Sequence, residues 1–272
     1  MIRTERFHLS VIGCGNMGSA LVRGLIEKKA FSPENVCVVD AERIKAEDLA
    51  ARYGVTVLPV EEAAGISRLV LLAVKPKDLP ILCDRISGAV SADAVIVSVA
   101  AGILISTIEG FFNCGHPVIR IMPNLAVAGG KGLAGYCASD SIGEDRLREI
   151  IEPFTRIGFF FRVPEKMMCF ITAVVGSGPG YIFYFGEILQ KLLVEMGIEK
   201  ETSRKMVAFL FDGSAGLMSE SGLDPDILKT QVSSPGGTTL AGLAVFQGRE
   251  MEGIFREAVE AAEKRAEELG GK

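Results

Sequence analysis

Short apolar runs alternate with segments of helical periodicity over residues 1–163, and helical periodicity continues alone after that. Phe7 to Ile12 reads as a first strand. After a glycine-rich turn, Ala20, Leu21 and Leu25 lie at helical spacing within Ser19 to Lys28. Val36 to Val39 is a second strand that ends at Asp40. A helix over Arg43 to Tyr53 places Ala46, Leu49, Ala50 and Tyr53 on one face, and Gly54 stops it. Val55 to Val57 is a brief third strand. Leu69 to Val74 does not alternate, which suits a parallel strand buried on both faces, and Lys75-Pro76 ends it. Val95 to Val99 and Val118 to Met122 are two further strands, and Gly132 to Tyr136 adds one at an edge. Such alternation predicts a parallel sheet with right-handed crossovers.

The character changes near Val163-Pro164, where β-runs cease. Helices are predicted over Pro179 to Met196, Glu201 to Met218, Asp224 to Gln231, Thr238 to Phe246 and Met251 to Leu269. Pro225 suits a first helical turn. Met251, Ile254, Phe255, Ala258, Ala261, Ala262 and Leu269 form one broad stripe opposite charges. The chain therefore divides into an α/β domain over residues 1–163 and an all-α domain over 164–272.

Nearly half of the 272 residues are apolar, enough for a sizeable core, and the net charge of -5 comes from interspersed charges. No basic stripe marks a nucleic-acid surface. No apolar stretch reaches membrane-spanning length without charges or breakers, and the charged start Met1 to Arg6 does not read as a signal peptide, so the cytoplasm is the expected location. The six cysteines form no CxxC pair and read as reduced, mostly buried thiols. Of the two histidines, His8 reads as core filler and His116 as a loop residue, and no metal site is expected.

Gly13-x-Gly15-x-x-Gly18 follows a strand and opens a helix, the context that makes this pattern a dinucleotide loop of the Rossmann type. Gly13 permits the tight turn, Gly15 lets backbone approach a pyrophosphate, and Gly18 lets the helix pack close to the sheet. Asn16 and Met17 complete the loop, where free amides and the helix dipole meet phosphate. Asp40, somewhat farther on than the usual spacing of about 20 residues, suits an adenosine ribose and NADH. It also suits capping of the helix near Arg43. Arg43 suits a 2′-phosphate and NADPH. Ligands of open α/β sheets lie beyond the strands' carboxyl ends, so Ala73-Val74-Lys75-Pro76, Ser98 to Gly102 and Met122-Pro123-Asn124 are candidate walls. Lys75 suits either a bound anion or a solvated surface position.

In the helical half, Ser233 to Thr239 joins two helices. Ser234, Gly236, Gly237, Thr238 and Thr239 offer hydroxyls, a compact backbone nest and a helix N-terminus, which together suit a carboxylate. An ordinary interhelix loop capped by Thr238 or Thr239 is the other reading.

With Gly13 to Gly18, Ala73 to Pro76, Arg120 to Asn124, Gly176-Ser177-Gly178-Pro179 and Ser234 to Thr239 in order along almost the whole chain, the sequence resembles the pyrroline-5-carboxylate reductase family. The resemblance implies reduction of 1-pyrroline-5-carboxylate to L-proline with NADPH or NADH, the last step of proline synthesis. It implies a Rossmann domain followed by an all-α dimerisation domain, with the dimer as the basic unit, either alone or assembled further into a decamer. The active site would lie between one subunit's nicotinamide and helical elements that include the partner's. The resemblance places the Thr239 hydroxyl against the ring nitrogen and the substrate carboxylate on Ser234, Gly236, Gly237 and Thr238. Departures from the family pattern are Val175 for Ser, Gly180 for Ala, Leu125-Ala126 for Thr-Pro, Val60 for Asn and Asp224 for His. Val175 and Leu125 are expected at the pocket edge. No histidine stands in a general-acid position, which a preprotonated imine substrate explains. The competing readings are a β-hydroxyacid dehydrogenase, for which Lys191 is the one lysine in the long helix, and a non-enzymatic NAD(P) sensor.

Overall fold

The computed structural model describes residues 7–112 and 115–271. One eight-stranded sheet organises the first part in the order β3-β2-β1-β4-β5-β6-β7-β8. Its strands are β1 (Phe7–Ile12), β2 (Val36–Val39), β3 (Thr56–Val57), β4 (Ser67–Leu72), β5 (Val95–Ser98), β6 (Val118–Pro123), β7 (Gly132–Ala138) and β8 (Gly158–Arg162). The helices between them are α1 (Asn16–Glu27), α2 (Arg43–Tyr53), α3 (Val60–Ile66), α4 (Leu79–Ile86), α5 (Ile105–Glu109) and α6 (Glu144–Thr155). Strands β1 to β6 are parallel, as the non-alternating runs predict. Strand β7 is antiparallel to β6. The reason is length. The link between them is a 3-10 turn over Leu125–Gly129, far too short for the crossover that a parallel pair needs. Strand β7 is also not the edge, because β8 pairs in parallel outside it. The aromatic triplet Phe159-Phe160-Phe161 was the available signal for β8.

Successive residues along a strand serve opposite faces. Val11, Leu71, Ile119 and Ile121 join Leu21, Leu25, Leu49, Ile151 and Phe154 in one core. Ile12, Leu72, Val118 and Met122 join Leu79, Cys83, Ile86, Ile108 and Ile171 in the other. His8, within β1, is exposed rather than core filler. His116 is buried, with Nδ1 3.3 Å from the Ala94 carbonyl and its ring edge-on to Phe112. Cys14, Cys37, Cys83 and Cys137 are buried free thiols, Cys169 is half-buried, and Cys114 lies outside the described residues.

Contacts divide the chain after Gly178 rather than at 163, with Glu260 onward counted with the first unit. The segment after Pro164 explains the difference. Helix α7 (Met168–Ile171) and the π-helical turn Thr172–Gly176 bury Met168, Ile171 and Val175 in the second core of the sheet. Val175 is therefore buried in the core of the sheet. At the other end, Ala266 is buried, and Gly102 lies so close to Gly270 that no side chain fits at either.

The second unit, Pro179–Val259, consists of most of α8 (Gly178–Glu195), α9 (Lys200–Ser221), α10 (Pro225–Gln231), α11 (Thr238–Gly248) and the first half of α12 (Met251–Leu269). Gly186 lets α8 approach Val207 and Phe211 of α9, and Phe185 stacks on Phe255 with centroids 5.7 Å apart. Yet Gly186 and Ser203 are its only buried residues. Phe183, Phe209, Leu210, Val245 and Phe246 are all more than half exposed. The stripes do not close on themselves into an internal core. Glu165–Glu195 is also one helical run of mean hydropathy 1.4, long and apolar enough to cross a membrane by length and composition. The sequence predicts a helix only from Pro179. Instead the run passes through Gly176 to Pro179 by way of the π turn.

One charge is buried in the sheet. Arg120, on β6, is 2% exposed and donates Nη1 to Glu165 Oε1 at 2.8 Å, while its Nε and Nη2 have no partner. The same carboxylate oxygen accepts from the Ile105 amide at 2.6 Å, at the start of α5. Removing the carboxylate would leave a buried guanidinium unpaired. Glu165→Ala is expected to lower unfolding stability by about 3 kcal/mol. Urea denaturation would register that loss, and an unchanged midpoint would show that the pair contributes nothing.

Candidate functional site: a dinucleotide cleft and a helix-entry loop

Backbone geometry at the end of β1 comes first. Gly13 has φ +107°, and its amide donates to the Val39 carbonyl at 2.7 Å. A Cβ there would press on the Ala73 carbonyl at 2.6 Å. A Cβ on Gly18 would be driven into the Gly13 carbonyl, so α1 packs directly on the turn. Nothing lies within 4 Å of a Cβ built on Gly15. Gly15 and Asn16 are exposed, and Met17 packs partly against the core beneath. These positions behave as the three-glycine spacing predicts: one turns, one stays open, one packs.

Beside the turn is a cleft of about 850 Å³. Gly13, Gly15, Asp40, Arg43, Ala73, Val74 and Lys75 line it, joined by Val60 and Lys77. Asn16, Met17, Gly18 and Pro76 do not line it. Pro76 instead opens a 3-10 turn over Pro76–Asp78 that fixes Lys75. The exits of β5 and β6 are also outside this cleft. Asn124 there has a structural task, its Oδ1 accepting from the Ala126 and Leu133 amides, and Leu125 beside it is about half exposed.

Asp40 does not cap α2. The N-cap is Glu42, which makes no side-chain cap bond. Instead Asp40 Oδ2 accepts from the Cys14 amide at 2.6 Å, and Oδ1 accepts from the Glu42 amide at 2.8 Å. The carboxylate thus ties the glycine turn to the exit of β2, a link that spacing alone does not reveal. Burial, and then the Asp40 charge, push the Cys14 thiol up to about 12, so it stays protonated. Arg43 is mostly exposed and meets Glu47 at 2.7 Å, while Lys45 Nζ meets Glu42 at 2.6 Å. The hydrogen bond to Glu42 raises the Lys45 pKa. The residues present fit a dinucleotide: an open glycine, a helix N-terminus, an acid at the end of β2 and lysines at the end of β4.

In the helical unit, α11 begins at Thr238 with Gly237 as its N-cap. Neither Thr238 nor Thr239 caps it through a side chain. The Gly237 amide is already engaged, donating to the Ser234 carbonyl at 2.9 Å, so it is not the free donor expected from the sequence. Gly236, at φ +71°, makes the turn that allows this bond. The amides of the first helical turn, Thr238, Thr239 and Leu240, have no acceptor within the helix. Ser234, Gly236, Thr238 and Thr239 are exposed. Lys191 is a surface residue, its Nζ 2.6 Å from Glu187 on the same helix, and that bond raises its pKa.

Comparison with known proteins agrees with this two-part layout. Residues 165–269 match the family "Pyrroline-5-carboxylate reductase dimerisation", and residues 8–102 match "NADP oxidoreductase coenzyme F420-dependent". A pyrroline-5-carboxylate reductase of Corynebacterium melassecola is 34% identical, over 96% of this chain and 98% of the relative. One of Synechocystis is 35% identical, over 97% of this chain and 98% of the relative. Among solved structures, the Plasmodium falciparum pyrroline carboxylate reductase with NADP bound superposes with a TM-score of 0.88 at 25% identity, covering 98% of this chain and 99% of that one. The Coxiella burnetii pyrroline-5-carboxylate reductase gives 0.86 at 28%, over 97% of this chain and 98% of that one. An enzyme fold with a Rossmann unit and an all-α unit, carrying these motifs along its whole length, belongs to the pyrroline-5-carboxylate reductase family.

Proposed function

We propose that the chain reduces 1-pyrroline-5-carboxylate to L-proline with NADH or NADPH, the closing step of proline synthesis. The observation that carries this is that one chain holds both an open dinucleotide cleft in its first unit and, in its second, an exposed helix entry at Ser234 to Thr239 with no side-chain cap. Bound NAD(P)H supplies the hydride to the imine carbon. Gly13, Gly15, Asn16 and Met17 offer backbone to the pyrophosphate, with Gly18 supporting the turn. Asp40 and Arg43 flank the adenosine ribose, and Ala73 to Pro76, Lys75 above all, form the opposite wall. The Thr238 and Thr239 amides, with Ser234 Oγ and the backbone at Gly236, receive the substrate carboxylate. Gly237 shapes that loop by giving its amide to Ser234. Thr239 Oγ1 hydrogen-bonds the ring nitrogen and orients it. A hydroxyl is a poor acid near neutral pH, so the imine arrives already protonated.

Steady-state turnover of pyrroline-5-carboxylate with either nicotinamide, read by cofactor oxidation and by proline formed, tests this directly. Cofactor binding without turnover of any cyclic imine would favour a sensor. Thr239→Ala is expected to lower kcat/KM by roughly tenfold to a hundredfold, the loss of one hydrogen bond of about 1–3 kcal/mol, at unchanged cofactor affinity. Thr239→Ser should do less damage. Equal kcat/KM in a folded Thr239→Ala protein would remove the hydroxyl from the mechanism.

The working unit in this proposal is a homo-oligomer built from dimers, acting in the cytoplasm, with no nucleic-acid or membrane partner. The apolar side chains left exposed by the helical unit support it, since patches of this kind mark association surfaces. Light scattering at micromolar concentration is expected to give a dimer or a multiple of it, the decamer included. Phe209→Glu should shift the population toward monomer, and a stable, active monomer of the unaltered chain would refute the claim.

A further inference from the structure

Within that reading, we infer that the cleft selects NADH over NADPH and that Asp40 is the discriminating residue. Asp40 ends β2, where the adenosine ribose of a dinucleotide rests in this fold. Its two carboxylate oxygens are already tied, one to the Cys14 amide and one to the Glu42 amide. Each oxygen keeps one further acceptor position. A ribose 2′-hydroxyl is a donor and completes that set. A 2′-phosphate brings only acceptors and between one and two negative charges, about -1.5 to -2 for a phosphomonoester near neutral pH. The carboxylate cannot turn aside to admit it. Rotation would strand two backbone amides and untie the glycine turn that holds the pyrophosphate.

The cations on the same rim do not offset this. Lys45 is engaged by Glu42, whose own charge adds to that of Asp40. Arg43 projects into solvent at 80% side-chain exposure and meets Glu47 one turn along α2. Arg85 holds Glu61 through two hydrogen bonds. Lys75 and Lys77 line the cleft from the exit of β4, the wall opposite β2. A solvated arginine already paired with Glu47 attracts a phosphate less than a fixed carboxylate repels it.

Titration of the protein with NADH and NADPH, followed by nicotinamide fluorescence, is the first measurement. NADH is expected to bind at least tenfold more tightly, with the same order in kcat/KM. Asp40→Asn keeps the shape and one acceptor but removes the charge, and it should move the NADH/NADPH ratio at least tenfold toward NADPH. Equal or tighter NADPH binding by the unaltered protein, or an unmoved ratio in Asp40→Asn, overturns the inference. Should Asp40→Asn fail to fold, competition by ADP-ribose and by its 2′-phosphate on the unaltered protein decides, and equal inhibition overturns it. Selective NADH binding without imine turnover would uphold the inference and sink the reductase reading. Proline formation favouring NADPH would do the reverse.

Discussion

The close approach of α1 to the end of β1 is the constraint on which the first unit turns. Gly18 lies against the Gly13 carbonyl, and Gly13 lies against Ala73 at the exit of β4. No side chain fits at either point, so the helix axis, the turn and two strand ends are fixed together. Because the sheet is buried on both faces, its strands cannot shift to relieve a misfit in that corner. The result is a rigid edge with one open backbone position, Gly15, and free amides at the start of α1. The geometry of this edge is thus set by backbone placement.

Asp40 extends the same corner by a polar route. Its carboxylate bridges the glycine turn and the loop before α2, adding a polar link to segments that also share one hydrophobic core. Arg120 and Glu165 play a comparable part elsewhere, connecting β6, the start of α5 and the segment that leaves the sheet. In both places one carboxylate satisfies two donors from distant segments. Such groups define geometry through the cost of leaving a donor unmet.

How much of this was legible follows from the range of each signal. The limits of β1, α2 and α12 are local, set by apolar spacing and by a stop at Gly54, and the structure repeats them. The glycine turn was equally plain, since three glycines at fixed offsets carry their own geometry. Strand β8 escaped because its one fully inward residue, Phe160, sits between exposed or half-exposed neighbours. The division after Gly178 escaped because Met168, Ile171 and Val175 lie on helical turns yet pack on a sheet. Periodicity reports a face but not the partner of that face. The Asp40 bond to Cys14 and the occupied amide of Gly237 are tertiary and turn-specific facts, and residue type alone does not encode them.

The helical unit, with little buried but Gly186 and Ser203, has a consequence for how its sequence can change. In a protein with its own core, exposed positions drift freely and buried ones do not. Here Phe183, Phe209, Val245 and Phe246 are exposed on the single chain, and in the association proposed above their substitution would be felt as a core substitution is. In the association proposed above, tolerance to mutation in this half would be set by the neighbour rather than by the chain itself. A change at one position enters the interface twice in a symmetric pair, so its effect is doubled before selection acts on it.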